Sequence, residues 1–275
     1  MERDITEPRE LDPNRDVSKD DDRRTHHPER AGRARYSLSA DERQTMADIG
    51  RFRTVTTDDL TNIRYKGNQS HSRADLKSLL AQGLVQSKSV WTGRDRETDT
   101  FLTLTKAGKR FLQVNQDVPK GQAIFAGFVK PAELRHDAAI YRMYDKEAAL
   151  IEKAGGRITR VVLDYELKQR VYSPLAKARL LSDGEYKKRQ AYIAQENGLK
   201  VVNGHITLPD LRIEYTDRAG VAVSTDLEVA SKSYHGSHAA EKAAAGFTIY
   251  AEADTAAYLS RVLEEREITA EILSL

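Results

Sequence analysis

Apolar residues in the N-terminal half recur at helical spacing, which predicts three short helices followed by a β-hairpin. The first helix follows Ser39, a residue of the type that caps helix N-termini, and the second begins at Thr57. The third covers residues 68–82 and places leucines on one face. Alternating residues over 87–91 and 100–104 then predict two paired strands, and a further helix begins after them.

The pattern changes in the second half of the chain. A long helix is predicted from Pro131 to about residue 154, where two consecutive glycines end it. An apolar run over 157–170 predicts a strand, and residues 174–196 a helical insertion. The region 157–189 holds nine basic and four acidic residues, so we expect a positively charged rim beside the hairpin that follows it in the chain.

Two β-rich runs, 208–215 and 221–232, follow the insertion and predict a β-hairpin joined by residues 216–220. Beyond it, the pattern predicts a short helix ending at Ala245, a strand over 247–250 and a closing helix and strand. The whole order of elements predicts an α/β (α+β) protein with a mixed sheet in its second half.

The predicted hairpin brings acidic residues together. If it folds about Arg218, Asp210 lies opposite Asp226 and one diagonal step from Glu228. Side chains alternate in a strand, so Asp226, Glu228 and Lys232 share a face. Carboxylates this close raise one another's pKa and favour a hard divalent cation with oxygen ligands. We therefore expect Asp210, Asp226 and Glu228 to bind Mg²⁺ or Mn²⁺; the alternative is that both aspartates flank the turn and Glu228 pairs with Lys232.

Composition limits the other classes of function. The 275 residues suffice for two domains, and no apolar run approaches the roughly 20 residues of a membrane-spanning helix. We therefore expect a cytoplasmic protein without membrane contact. The absence of cysteine excludes disulfides, thiolate metal sites and cysteine nucleophiles. A formal charge of +2 neither requires nor excludes binding to nucleic acid. Whether the chain can bind it depends on where the basic residues lie.

We divide the chain into four parts. Residues 1–36 hold ten acidic and nine basic residues and almost no apolar ones, which predicts a disordered tail. Residues 37–118 form the helical and hairpin unit, residues 119–130 a linker, and residues 131–275 the second domain.

The first unit resembles a winged helix-turn-helix domain. That resemblance implies binding of double-stranded DNA, with the third helix in the major groove and the hairpin on the backbone or in the minor groove. The alternative is a winged helix used only for protein contacts or dimerisation. The DNA contacts that the resemblance implies come from the exposed face of the third helix and its flanks: Arg64, Lys66, Ser70, His71, Arg73, Lys77, Lys88, Arg94 and Arg96.

The second domain resembles the PD-(D/E)xK nuclease superfamily. The resemblance rests on the Pro209-Asp210 pair on one strand, Glu228 on the next and a nearby lysine. The superfamily places its lysine two residues after the glutamate, where this chain has Ala230, so Lys232 or Lys242 would supply the charge. The resemblance implies metal-dependent cleavage of DNA, with Asp210, Glu228, Lys232 and Lys242 as catalytic residues.

The first core helix of that superfamily often brings a glutamate towards the metal, and Glu133 and Glu147 are the candidates here. His136 on the same helix is another candidate, although a lone histidine on a helix is more often structural. His235 and His238 offer a transition-metal alternative, which ranks below magnesium because only carboxylates lie nearby in the sequence.

More narrowly, the run from Leu208 through residues 226–230 to residues 234–238 and 242–247 resembles the plasmid replication-relaxation and mobilisation proteins. This resemblance implies a DNA endonuclease or nickase of a mobile element, with a homodimer and a replication or mobilisation protein as further partners. The alternative function is a non-catalytic DNA-binding accessory protein or regulator with a degenerate nuclease fold, which Ala230 favours.

Overall fold

The computed structural model describes residues 25–31, 34–91 and 98–275, and it has the mixed α/β architecture that the sequence predicts. Arg94 and Arg96, at the tip of the predicted hairpin, lie outside the described residues.

The chain enters the first unit through an antiparallel hairpin. Strand β1 (His27–Ala31) pairs with β2 (Ala34–Leu38), so the prediction of a disordered tail is wrong for these residues. Residues 1–24 of the tail lie outside the described part of the chain. The hairpin forms because the first unit offers it a partner: Asn115 donates a hydrogen bond to the carbonyl of Arg30, and Tyr36 packs edge-on against Phe111.

The first unit contains the predicted helices and a small antiparallel sheet of order β3-β5-β4. Ser39 caps the first helix in a reciprocal capping box with Glu42, as the sequence predicts. Its elements are α1 (Ala40–Arg51), β3 (Val55–Thr56), α2 (Thr57–Ile63), α3 (Gln69–Ala81), β4 (Val85–Trp91), β5 (Thr98–Leu104) and α4 (Lys106–Asn115).

The predicted linker is irregular in structure, yet it is bonded to both halves of the protein. The backbone N–H of Phe125 donates to the carbonyl of Gly50 at 2.8 Å. Gln122 uses its side-chain amide to pair with both the N–H and the carbonyl of Val161 on the second domain, at 3.0 and 2.9 Å. Ile124 is buried between them. The two halves therefore share one continuous apolar core.

The second domain is built around a five-stranded sheet of order β12-β11-β10-β9-β6. Its first three strands in the chain, β6, β9 and β10, pair antiparallel, whereas β10, β11 and β12 run parallel. The domain's elements are α5 (Leu134–Lys153), β6 (Arg157–Leu163), α6 (Asp164–Ala178), α7 (Asp183–Glu196), β7 (Val201–Val202), β8 (His205–Ile206), β9 (Leu211–Thr216), β10 (Ala222–Ala230), α8 (Gly236–Ala245), β11 (Thr248–Ala251), α9 (Ala253–Glu264) and β12 (Ile272–Ser274).

The boundary after β6 differs from the prediction. The strand ends at Leu163 instead of continuing to residue 170, and α6 begins directly at Asp164. The helix starts here because Leu167 and Val171 recur at helical spacing and are fully buried. Pro174 lies inside α6 and does not open a new helix.

Candidate functional site

The register of the central hairpin differs by two residues from the predicted one. Leu211 pairs with Leu227, so Asp210 and Glu228 are the next opposed positions, and Asp226 faces Arg212. The turn explains the difference: the carboxylate of Asp217 accepts hydrogen bonds from the N–H groups of Ala219 and Val221, which centres the turn on Ala219 and not on Arg218. A shift of two residues keeps each side chain on its predicted face.

Asp226 is consequently held by a partly buried ion pair and not in a cluster of three carboxylates. The guanidinium of Arg212 donates to both carboxylate oxygens, at 2.6 and 2.7 Å. The same guanidinium also donates to the carbonyls of Asn197 and Gly198 at the end of α7. The expected metal ligand Asp226 therefore neutralises Arg212, because the register brings the two side chains face to face.

Asp210 lies immediately before β9 and contacts the long helix α5. Its Oδ2 is 3.1 Å from Nε2 of His136 and accepts a hydrogen bond from the backbone N–H of Val229 at 2.9 Å. On the other side of the imidazole ring, Nδ1 lies 3.7 Å from Oδ1 of Asp137, whose Oδ2 lies 3.3 Å from Nε of Arg53. Helix α5 thus contributes to the site through His136, whereas the candidate Glu133 bonds Arg53 and Glu147 bonds Tyr250.

Glu228 is buried in the sheet and has a donor on each oxygen. The hydroxyl of Tyr234 donates to Oε1 and the ammonium of Lys242 donates to Oε2, both at 2.9 Å. Lys242 extends from α8 and is fixed by a second hydrogen bond to the carbonyl of Leu208 at 2.6 Å. Lys242 therefore supplies a positive charge to the carboxylates from the following helix.

Lys232, the other lysine candidate, does not reach the carboxylates. Strand β10 ends at Ala230, so the alternation of faces stops before Lys232. Its side chain is 80% exposed, and its ammonium lies 3.9 Å from Glu252.

The charges of the site are strongly coupled. Burial, together with the charge of Asp210, raises the pKa of Glu228 to about 7. Hydrogen bonds to Asp137 and Asp210 raise the pKa of His136 to about 10, so its ring is a cation at neutral pH. Burial opposes ionisation of Asp210, but the hydrogen bond and charge of His136 outweigh it and lower the pKa of that carboxyl. The result is an ionised aspartate beside a glutamate that titrates near neutrality.

The geometry allows only a sparse metal site. The described residues contain no group of three histidine, aspartate or glutamate side chains arranged to hold an ion. Mg²⁺, however, is commonly held by one or two carboxylates together with water and substrate phosphate. Asp210 and Glu228 are the two carboxylates that stand together here, and each already has a donor, His136 and Lys242 respectively. His235 and His238 have rings 6.2 Å apart and stand at the start of α8.

The predicted DNA-contacting residues divide into two groups. Arg64 and His71 are engaged within the protein: Arg64 lies 3.1 Å from Asp41, and His71 lies 3.3 Å from Asp75. The others that the structure describes are exposed on α3, just before it or on β4: Lys66, Ser70, Arg73, Lys77 and Lys88.

Sequence reasoning missed two members of the site. Tyr234 follows β10 with no spacing pattern that marks it, and only the hydrogen bond to Glu228 reveals its place. Arg53 lies in the first unit, with a left-handed backbone at φ 66°, and reaches across to Asp137 and Asp164 at 3.3 and 3.7 Å. A contact between the two halves of the chain leaves no local sequence signal.

The chain matches no known family profile and no curated protein at a significant level. None of the helices in the described ranges combines the length and apolar character that crossing a bilayer requires.

Proposed function

We propose that the protein binds double-stranded DNA through its first unit and hydrolyses a phosphodiester bond at the site of Asp210, Glu228 and Lys242. The observation that carries the proposal is the 2.9 Å contact between Lys242 and Glu228, directly opposite Asp210. Two buried carboxylates and a lysine are the residue types that metal-dependent nucleases use, and Lys242 replaces the lysine missing at Ala230.

Each residue has a distinct task in this reaction. When bound, Mg²⁺ would supply an activated water and neutralise charge on the scissile phosphate. Asp210 and Glu228 would hold the ion, and His136 keeps Asp210 ionised through its hydrogen bond. The ammonium of Lys242 would stabilise the negative charge that develops on the phosphate in the transition state. Water attacks phosphorus and releases its proton to solvent, the bond to the leaving oxygen breaks, and that oxygen takes up a proton from solvent.

The first unit supports the DNA-binding part of the proposal. Helices α1 to α3 followed by the β4-β5 hairpin match the order of a winged helix-turn-helix domain. Arg73 and Lys77 are exposed one turn apart on α3, where a recognition helix carries its contacts. Lys88 on β4 adds a cation to the neighbouring hairpin. The second domain would then cut close to the bound duplex.

Nicking of supercoiled plasmid tests the catalytic part. Wild type, Asp210→Asn and Glu228→Gln are compared with Mg²⁺, Mn²⁺ or EDTA. We expect metal-dependent nicking by wild type, lost in both variants by at least about 10²-fold. Binding of the same DNA in EDTA, measured in parallel, should survive both substitutions. Binding without nicking in any metal would overturn the nuclease proposal.

One observation favours a second candidate, a DNA-binding accessory protein or regulator without catalysis. Both oxygens of Glu228 already accept hydrogen bonds, from Tyr234 and Lys242. An ion at Glu228 would have to displace or share one of these donors. A protein of this kind would bind as a homodimer on paired half-sites about one helical turn apart, which footprinting and analytical ultracentrifugation would detect.

A further inference from the structure

Helices α6 and α7 pack against each other and form a pair, residues 164–196, which we call the helical arm. The two helices bury Val171 and Leu175 against Ile193 and Ala194, in an apolar cluster separate from the main core. Gln190 adds a hydrogen bond to the carbonyl of Gly204 at 2.9 Å. The arm is therefore a packed unit with a fixed shape.

Both ends of the arm are attached beside the candidate site. At its start, the backbone N–H of Asp164 donates to the carbonyl of Asp210 at 3.1 Å. At its end, the carbonyls of Asn197 and Gly198 accept hydrogen bonds from Arg212, the partner of Asp226. The arm consequently keeps a constant position relative to the carboxylates.

The charge of the arm is balanced near the site and unbalanced away from it. Close to the site, Asp164 pairs with Lys168, and Glu166 pairs with Arg160 and Arg170. Further out, five exposed cations take part in no salt bridge to any residue that the structure describes: Lys177, Arg179, Lys187, Lys188 and Arg189. The outer part also carries Asp183, Glu185 and Glu196, so its positive excess is two charges and is concentrated in the run Lys187, Lys188 and Arg189. A rigid surface with such a cluster of cations has the chemistry that binds phosphates.

Exposed aromatic rings accompany these cations. Tyr172 and Tyr192 are each about half exposed, and the guanidinium of Arg189 lies 5.1 Å from the ring centre of Tyr192. A tyrosine hydroxyl can donate to a phosphate oxygen, so these rings add hydrogen-bond donors beside the cations.

We propose that the helical arm binds the phosphate backbone of the DNA that flanks the candidate site. A helix of 15 residues such as α6 is about 22 Å long, so the outer cations reach phosphates about six base pairs from Asp210. This inference rests on the proposed function only in taking DNA as the partner, and it requires no cleavage.

The test measures how binding depends on salt. A labelled 30-base-pair duplex of mixed sequence is titrated with protein in EDTA at KCl concentrations from about 50 to 200 mM. Over this range, the fall of the affinity with salt reports the number of phosphate contacts. The arm variant carries Lys187→Gln, Lys188→Gln and Arg189→Gln. The control variant carries Lys153→Gln, Arg261→Gln and Arg266→Gln, which removes the same charge from exposed positions outside the arm. Circular dichroism checks that both variants fold.

We expect the arm variant to bind at least about tenfold more weakly at 100 mM salt, with its salt slope reduced by about 2 to 3, since each lost phosphate contact is worth about 0.9 in that slope. The control variant should stay within about twofold of wild type. Equal affinity and slope in the two variants would overturn the inference, even if plasmid nicking depends on Asp210. Weaker binding by the arm variant without any nicking would support the inference and reject the nuclease. A wild type that binds no duplex would overturn both.

Discussion

The ammonium of Lys242 lies 2.9 Å from Oε2 of Glu228, although the two residues stand on different elements and 14 positions apart. Ala230, two residues after Glu228 on the same strand, is buried and uncharged. Lys242 reaches Glu228 from helix α8, where its ammonium also donates to the carbonyl of Leu208. The two lysines that the sequence offered can therefore be tested against each other.

Removal of Lys242 should abolish most of the activity, whereas removal of Lys232 should not. If the proposed function holds, Lys242→Ala should lower plasmid nicking by about 10²-fold or more, because it removes the cation that we propose for the scissile phosphate. Lys232→Ala removes the same charge from a side chain that is 80% exposed, and nicking should change less than about twofold. Equal loss in both variants would contradict the assignment of Lys242.

Glu228 should make stability depend on pH. Burial and the charge of Asp210 raise its folded pKa to about 7, so the folded state holds this proton more tightly than the unfolded chain. The stability from this proton is present below the unfolded value near 4.5 and is lost as the pH rises through 7. Relative to Glu228→Gln, wild type should lose on the order of 3 kcal/mol between pH 4.5 and 8. Urea unfolding of wild type and Glu228→Gln at several pH values measures this difference. A free energy of unfolding that changes with pH by the same amount in both proteins would refute the prediction.

Removing only one partner of the ion pair between Arg212 and Asp226 should lower the free energy of unfolding strongly. Asp226→Ala leaves a buried guanidinium without its carboxylate, and we expect a loss of about 3 to 5 kcal/mol in the free energy of unfolding. The double variant Arg212→Met with Asp226→Leu removes both charges and should recover a large part of that loss. Chemical denaturation measures the free energy of unfolding of the single and double variants. A double variant as unstable as the single one would show that the loss comes from side-chain packing and not from the unpaired charge.

Two glycines provide a matched test of packing. A Cβ on Gly108, in α4, would lie 2.1 Å from the carbonyl oxygen of Leu84, so Gly108→Ala should destabilise the protein by about 1 to 3 kcal/mol or more. Gly184, near the start of α7, has open space around it, and Gly184→Ala should be neutral or stabilise by up to about 1 kcal/mol. Thermal unfolding should show a clear loss of stability for Gly108→Ala and none for Gly184→Ala. A Gly108→Ala variant as stable as wild type would contradict the close approach of Gly108 to the carbonyl of Leu84.

The sequence by itself determined most of the local structure. Capping at Ser39, helical spacing through the leucines of α3 and β-branched runs on either side of residues 217–221 act within a few residues, so their patterns predict the elements that form. It also placed Asp210 and Glu228 on the same face of the hairpin, because any register that keeps the apolar face buried differs by an even number of residues.

Only the tertiary structure decided which charges meet. The register depends on the turn at Asp217. The shift of two residues places Asp226 opposite Arg212 and Glu228 opposite Asp210. His136 reaches the site from a helix 74 positions before Asp210, Lys242 reaches it from the helix that follows β10, and Arg53 reaches its flank from the other half of the protein. Such contacts follow from how elements pack on the sheet, and packing depends on the whole core, which no local pattern of residues specifies.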